Sequence, residues 1–501
     1  MIPLFDITEY RLDGNFILTE SEATLLLRPF TGKHKDFGTV QNAIETLEKA
    51  YRQKGFNTVQ VVLPEQELER GVITLKVIET KLNMVTVTGN RYFDTANIRR
   101  SVPGLVEGKT PNVDAVSSCL RTANESPSKK TELSLQNGDQ EDTINATLKV
   151  VDERPWKFSL SSDNTGDKQT GVYRLGFLFQ HTNLFNLDHM LTLQYMTSFE
   201  KPSQVGIYSA GYRVPLYETG DSLEFMAAYS DVDSGTVKAG TYDLLVSGKG
   251  QVYGIRYNNN LKRIGDYEHK VTSALDYRVY QNNVSLTGIQ LGNDVTVHPV
   301  SMTYTGSWST ATTVLGGYLT IIENIPLSID GRDDDEHIKK VRAGATKNYV
   351  VFKAGANWGY MFPKGWQAVF NLTGQYTDKP LVPGEQFGVG GSTSGRGFRE
   401  REVSGDWGYS FTHELYTPDL IKSDRVQWRM LVFFDRGEVE KIDPLPGESD
   451  GDKIASTGVG TRLNLGKDVM VSADYGYVLM PGASSRSKGD GFVHLKLSAT
   501  Y

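Results

Sequence analysis

The residues of this chain best equipped for chemistry lie in two short motifs. One is Val389-Gly390-Gly391-Ser392-Thr393-Ser394-Gly395-Arg396-Gly397-Phe398, a single arginine in a glycine-dense stretch; the other is Phe433-Phe434-Asp435-Arg436-Gly437. Glycine at that density permits a tight reversal and a close approach of the backbone to a wall. Read alone, the first motif is compatible with a phosphate-cradling loop. It lacks a Gly-Lys-Ser/Thr ending, however, and it leads into an amphipathic strand rather than a helix. Asp333-Asp334-Asp335-Glu336-His337 offers oxygen ligands, but adjacent acids in a long connection read first as a solvated surface. The eight His include no His-x-x-x-His or Glu-flanked pair, and the lone Cys119 beside Leu120 reads as a packed thiol. No catalytic set, metal set or cofactor site is expected, and no enzyme.

The elements that must position these motifs fall into two halves. At 501 residues the chain predicts at least two units. No run approaches the ~20 apolar residues of a membrane helix. A β-barrel remains open, because its strands hide apolar residues at alternate positions. All six Trp follow residue 150, a skew that fits aromatic girdles at two membrane interfaces and that a large soluble sandwich would show more weakly. The net charge of −7, without a basic patch, points away from nucleic acid. The chain opens Met1-Ile2-Pro3-Leu4-Phe5 with no charged segment followed by an apolar core, so it reads as lacking a signal peptide.

Residues 1–153 read as mixed α/β in two similar passes, 1–80 and 81–153. The first predicts a strand over 5–12, helices over 20–27 and 38–54, and strands at Thr58–Leu63 and Val72–Ile78. Val40, Ala43, Ile44, Leu47, Ala50 and Tyr51 share one face of the longer helix, which Gly55 ends. The second predicts a strand over 83–88, helices over 94–102 and 112–123, and strands over 131–136 and 143–151. A Gly-Asn pair follows each first strand, so the β-α-α-β-β order repeats as an internal duplication.

From residue 156 onward the period becomes two. Val426, Trp428, Met430, Val432 and Phe434 alternate with Gln427, Arg429, Leu431, Phe433 and Asp435. Sixteen strands are predicted between 156 and 501. Connections after even-numbered strands are mostly short. Those after odd-numbered strands include the long ones, 232–249, 281–295, 323–346, 377–405, 437–453 and 478–491. Short turns at one end and long loops at the other are the outer-membrane pattern, and they favour a membrane barrel over a soluble sandwich. The fold class is therefore mainly β: a sixteen-stranded antiparallel transmembrane β-barrel preceded by two small α/β domains.

Asp435 falls on the polar, inward face of its strand. A lumen carboxylate is costly unless paired, and Arg396 on an inward-folding loop is the natural partner; the plainer alternative is a carboxylate facing lumen water. An Arg-Gly-Phe loop with Phe-x-Asp-x-Gly on a strand two places later resembles the POTRA-bearing outer-membrane transporter superfamily. Val85-Thr86-Val87-Thr88-Gly89-Asn90, Val102-Pro103-Gly104-Leu105 with Gly108, Leu120 to Ser128, and Lys149 to Pro155 are similar to the ShlB-type POTRA unit of two-partner secretion transporters.

That resemblance covers essentially the whole chain and implies two periplasmic POTRA domains, 1–80 and 81–153. It also implies a barrel over 154–501 whose sixth external loop, 377–405, folds inward. Arg396, Gly397, Phe398, Phe433, Asp435 and Gly437 would form a latch. Arg429, Glu414, Arg462, Asp474 and Lys496 would line the lumen. A partner exoprotein of the TpsA type would add its N-terminal secretion domain to strand edges at Thr58, Gln60 and Val62 or at Thr131, Leu133 and Leu135. It would then cross unfolded to the cell surface without ATP. A monomer in contact with outer-membrane lipid and lipopolysaccharide is expected, and no cofactor. The alternative from the same motifs is an insertase for other barrels. One departure stands out: the helix that plugs the pore in relatives, ahead of the first POTRA unit, is not among these residues.

Overall fold

The computed structural model describes residues 4–67, 71–231, 235–239, 242–246, 249–281, 285–286, 289–290, 294–444 and 446–501. The predicted connections 232–249 and 281–295 thus lie partly outside the described residues. The chain divides into two compact units. The first is Met1–Arg154 with the turns Asn186–Asp188 and Pro215–Asp221, and the second is the remainder.

In the first unit, β1 (Phe5–Ile7), β2 (Glu9–Asp13), α1 (Glu20–Leu27), β3 (Gly32–Lys35), α2 (Phe37–Gln53), β4 (Val59–Val62) and β5 (Val72–Glu79) make one pass. The second pass runs β6 (Lys81–Thr88), α3 (Thr95–Arg100), α4 (Val113–Asn124), β7 (Lys129–Asn137) and β8 (Thr143–Asp152). The sheets are ordered β2-β5-β4 and β6-β8-β7, each with one parallel and one antiparallel pairing. Leu47 and Tyr51 of α2 pack on Leu75, while Cys119 of α4 packs in a core with Leu148 and Ile98.

The duplication extends to atoms. Gly14 and Gly89 both take positive φ, and a Cβ on either would collide with the carbonyl of Val77 or Val150 in the central strand. Asn15 then donates to the Leu18 carbonyl, and Asn90 to the Phe93 carbonyl, both at 2.8 Å. The central strand's last carboxylate, Glu79 or Asp152, accepts the backbone N–H groups of the turn that follows. One correction concerns residues 5–12, read above as a single strand. They break at Thr8, and β1 leaves the main sheet to pair with β3. The sequence Gly32-Lys33-His34-Lys35 carries no apolar alternation, so this strand left no periodic signal.

Thr19 and Glu22 form a reciprocal cap on α1, and Lys54 adds an ion pair to Glu22 at 2.8 Å. The Lys54 hydrogen bond, then those from Thr19, hold the Glu22 carboxyl at about 2, against an ordinary 4.5. A carboxyl lowered on folding stabilises the fold above its unfolded value and loses that contribution as pH falls through the folded one. In Glu22→Gln the thermal transition of this unit is therefore expected to drop at pH 7. The deficit should close between pH 4.5 and about 2; a deficit independent of pH would contradict this assignment.

The second unit is a closed antiparallel barrel of sixteen staves, the first (Trp156–Asp163) pairing with the sixteenth (Gly491–Thr500) from Ser159↔Thr500 to Asp163↔Lys496. Strand lengths suit the ~9–11 residues that cross a bilayer when tilted. Among the described residues no helix is long and apolar enough to do so. Outward positions form an apolar band: Trp428, Met430, Val432 and Phe434 are exposed on the thirteenth strand (Val426–Glu440), whereas Leu431, Phe433 and Asp435 are buried. Trp308, Trp358 and Trp366 are exposed as well, while Trp156 and Trp407 are only half-buried. The eighth stave, predicted as continuous, is interrupted at His298 between Val295–Val297 and Pro299–Ser309. There the backbone N–H leaves the ladder and donates to Asn324 Oδ1 at 2.7 Å.

Candidate functional site

Residues 377–406 connect the eleventh strand (Gln367–Tyr376) to the twelfth (Trp407–Tyr416). A short antiparallel pair, Phe387–Val389 with Val403–Gly405, makes a stalk for this loop. At its tip Gly391 and Gly395 exchange two backbone hydrogen bonds of 3.2 Å, and Gly390, Gly391 and Gly397 take positive φ. The glycines therefore serve a reversal too tight for side chains.

That reversal delivers Arg396 to the thirteenth strand. Its backbone N–H and Nε donate to Asp435 Oδ2 at 2.9 and 2.8 Å, and Nη2 donates to Oδ1 at 2.7 Å. Nη1 reaches Glu414 Oε1 at 2.6 Å. The guanidinium also lies 3.5 Å from the centre of the Phe433 ring, a cation–π contact. Arg396 is 2% exposed and Asp435 is 0% exposed. A fork-shaped donor set against a planar carboxylate is the strongest form of such a pair. Phe398 is fully buried with Val389, Val403, Val439, Ile454 and Val478. Gly437 leaves the space that Val389 fills. The structure thus brings all six predicted latch residues together.

The predicted wall residues divide. Glu414 belongs to the latch itself, with Tyr416 Oη donating to its other oxygen at 2.9 Å. Arg462 and Asp474 pair at 2.8 Å beside it, and with Lys496, Asp163, Ser392 and Glu400 they border a lumen cavity of about 240 Å³. Arg429 instead clamps short turns, donating to the carbonyls of Thr417 and Gly365 and to Gln367 Oε1.

Other contacts were invisible in the sequence. Gly397 N–H donates to His494 Nε2 at 3.3 Å, and Gly476 lies so close that its hydrogen is all the space allows. Glu385, on the descending limb of the loop, accepts from Arg278 Nη1 (3.0 Å) and Tyr280 Oη (2.6 Å), and Arg278 also binds Asp276. These partners sit on distant strands, and each looks in isolation like any inward polar residue. The acidic run 333–337 is largely structural: Asp334 caps α5 (Asp335–Val341), Asp333 accepts from Ser328 N–H and Asp335 from Lys347 N–H. Among the described residues no three His, Cys, Asp or Glu are arranged to hold a metal ion.

In the first unit both predicted docking strands, β4 and β7, are sheet edges flanked by a helix. Each edge already carries a helix side chain. Asn124 of α4 accepts from Thr131 N–H (2.7 Å) and donates to its carbonyl (2.9 Å), imitating a strand. Glu48 of α2 accepts from Val61 N–H at 3.2 Å. By antiparallel alternation the outward backbone groups of β7 then belong to Thr131, Leu133 and Leu135, and those of β4 to Val59 and Val61. Gln60 and Val62 present exposed side chains, and Thr58 stands just before the strand.

A closed sixteen-strand barrel with an inward loop latched to its wall, preceded by two small helix-covered sheets, defines a POTRA-bearing outer-membrane transporter. The family described as haemolysin secretion/activation protein ShlB/FhaC/HecB matches residues 143–463, and the ShlB-type POTRA domain matches residues 5–80. The chain belongs to this ShlB/FhaC/HecB family, whose barrels lie in the bacterial outer membrane with their POTRA domains in the periplasm. It is 23% identical to the outer membrane transporter CdiB of Escherichia coli over 468 residues, 91% of this chain and 75% of that one. To the heme/hemopexin transporter protein HuxB of Haemophilus influenzae it is 22% identical over 483 residues, 92% and 81% of the two chains. Its fold matches the solved CdiB from Escherichia coli with a TM-score of 0.79 at 20% identity, covering 100% of this chain and 91% of that one. BamA from Haemophilus ducreyi lacking POTRA domains 1–3 matches less closely, with a TM-score of 0.52 at 14% identity over 99% of this chain and all of that one.

Proposed function

We propose that this protein secretes a partner exoprotein across the outer membrane in an unfolded state, without nucleotide hydrolysis. The observation that carries this reading is the sixth loop, which enters the lumen of a closed barrel and is held there by one charge cluster at Asp435. A loop tied at its tip by a few polar contacts can exchange them for others, whereas a wall strand cannot leave its ladder. The exoprotein's N-terminal secretion domain docks by strand addition in the periplasm, and folding outside the cell biases movement outward. The transporter acts as a monomer set in lipid and lipopolysaccharide. The test is co-expression with a candidate partner, a long repetitive exoprotein carrying an N-terminal secretion domain. Exoprotein in the medium supports the reading. Retention in the periplasm, with loss of other assembled barrels on deletion of the transporter, supports the insertase that the BamA-like barrel would suggest.

Asn124 bears on docking directly. A strand arriving at β7 must displace its amide from Thr131, so Asn124 competes with cargo for two backbone hydrogen bonds. Net values near 1 kcal/mol per hydrogen bond make the expected gain in secretion-domain affinity roughly five- to thirtyfold for Asn124→Ala. Titration calorimetry of the purified transporter against the secretion domain measures it. Unchanged or weaker binding would exclude β7 as the docking edge.

A further inference from the structure

The foot of the sixth loop holds a second buried charge pair, separate from the latch. Asp406 is fully buried, and its two carboxylate oxygens accept five hydrogen bonds. Arg342 Nη1 and Nη2 supply two, at 2.8 and 2.7 Å in a bidentate fork. Leu381 N–H (2.9 Å), Gln386 Nε2 (3.1 Å) and Ile442 N–H (2.7 Å) supply the others. Arg342 Nη1 and Nη2 donate as well to the carbonyls of Leu381 and Ile442. These donors come from three external loops: Arg342 follows α5 in the fifth, Leu381 and Gln386 belong to the sixth, and Ile442 opens the seventh. Apolar packing follows the same seams, with Ile338 of α5 and Ala345 against Val382 and Val295.

We propose that Asp406 and Arg342 are positioning residues for export: they aim the stalk of the sixth loop into the lumen, so that Arg396 meets Asp435. Asp406 stands one residue beyond the stalk's second strand, where the chain must choose between turning inward and continuing outward. Its bonds to Leu381 and Gln386 join the two limbs of the loop at its neck. Its bonds to Arg342 and Ile442 refer that neck to the loops on either side. A loop clamped at its root searches far fewer conformations than one clamped only at its tip, and so returns to the latch after each opening.

This inference rests on the sixth loop being the export element, and the experiment separates the two. Val403, 5% exposed in the second strand of the stalk, is replaced by Cys in a Cys119→Ser background, and labelling by a membrane-impermeant maleimide is followed on intact cells. Asp406→Asn and the apolar double variant Arg342→Met/Asp406→Leu are compared with Arg396→Ala, and heat-modifiable gel mobility reports barrel assembly. Both clasp variants are expected to assemble, to label roughly tenfold faster than the parent, and to export severalfold less. Labelling within about twofold of the parent in an assembled clasp variant overturns the proposal, as does failure of both variants to assemble, since the pair would then be an assembly determinant. Normal export by Arg396→Ala, with faster labelling in the clasp variants, overturns the export reading and leaves the aiming of the stalk standing.

Discussion

Arg396→Ala is expected to reduce export to a few per cent of the parent level or less while the barrel still assembles. The substitution removes two side-chain donors from Asp435, one from Glu414 and the cation over Phe433, leaving carboxylates buried at the tip contact. Breaking one side of a buried pair costs about 3–5 kcal/mol when the remaining charge stays dry. Water entering the lumen reduces that, so about 2–3 kcal/mol is a fair figure for loosening of the tip. That corresponds to a roughly 30- to 150-fold shift away from the latched state. The wall does not depend on the pair, because Asp435 keeps its register opposite Thr412 and Ser456 through backbone bonds. Arg396→Lys should recover little, since an ammonium cannot make the fork that spans both oxygens. Exoprotein in the medium and heat-modifiable mobility check both halves. Unimpaired export would remove the latch from the mechanism.

Gly476→Val should approach the same defect without touching any charge. Gly476 lies on the fifteenth strand (Val469–Met480), facing the lumen beneath the loop tip. A Cβ there would stand 2.5 Å from the Arg396 carbonyl carbon and nearer still to Gly397 N. Those are backbone atoms, so no rotamer change relieves the clash; the tip must rise. Overpacking of this kind costs about 1–3 kcal/mol in well-packed sites, and here it is concentrated on a contact only one loop wide. Export is expected to fall at least tenfold, with larger single-channel conductance as the tip leaves the lumen. Gly460→Val gives a contrast: its Cβ would press on the Asp474 and Leu431 side chains, which can move. A Gly476→Val protein that exports like the parent would show that the tip does not need to sit against the wall.

The sequence by itself determined the architecture. Period-two alternation from residue 156 onward fixes which residues face lipid, because a one-position slip would turn the polar face toward the bilayer. The alternation of short and long connections orients the barrel, and the Gly-Asn pairs at Gly14 and Gly89 mark a duplication that holds down to individual hydrogen bonds. Arg396 and Asp435 were legible as partners because an inward carboxylate in a narrow lumen demands a cation and only one glycine-framed arginine was placed to supply it. Only the tertiary structure could decide what depends on strands and loops distant in sequence. Gly476 looked like any small residue in a strand until the tip of another loop rested on it. Asp406 and Arg342, and likewise Glu385 and Arg278, became pairs only when separate loops and staves met. The run Asp333–His337, so conspicuous as a possible metal site, was spent on capping α5 and tying turns. Local periodicity records which side of a strand a residue faces. It carries no record of which distant backbone will lie against that side, and the latch and its clasp are made of such meetings.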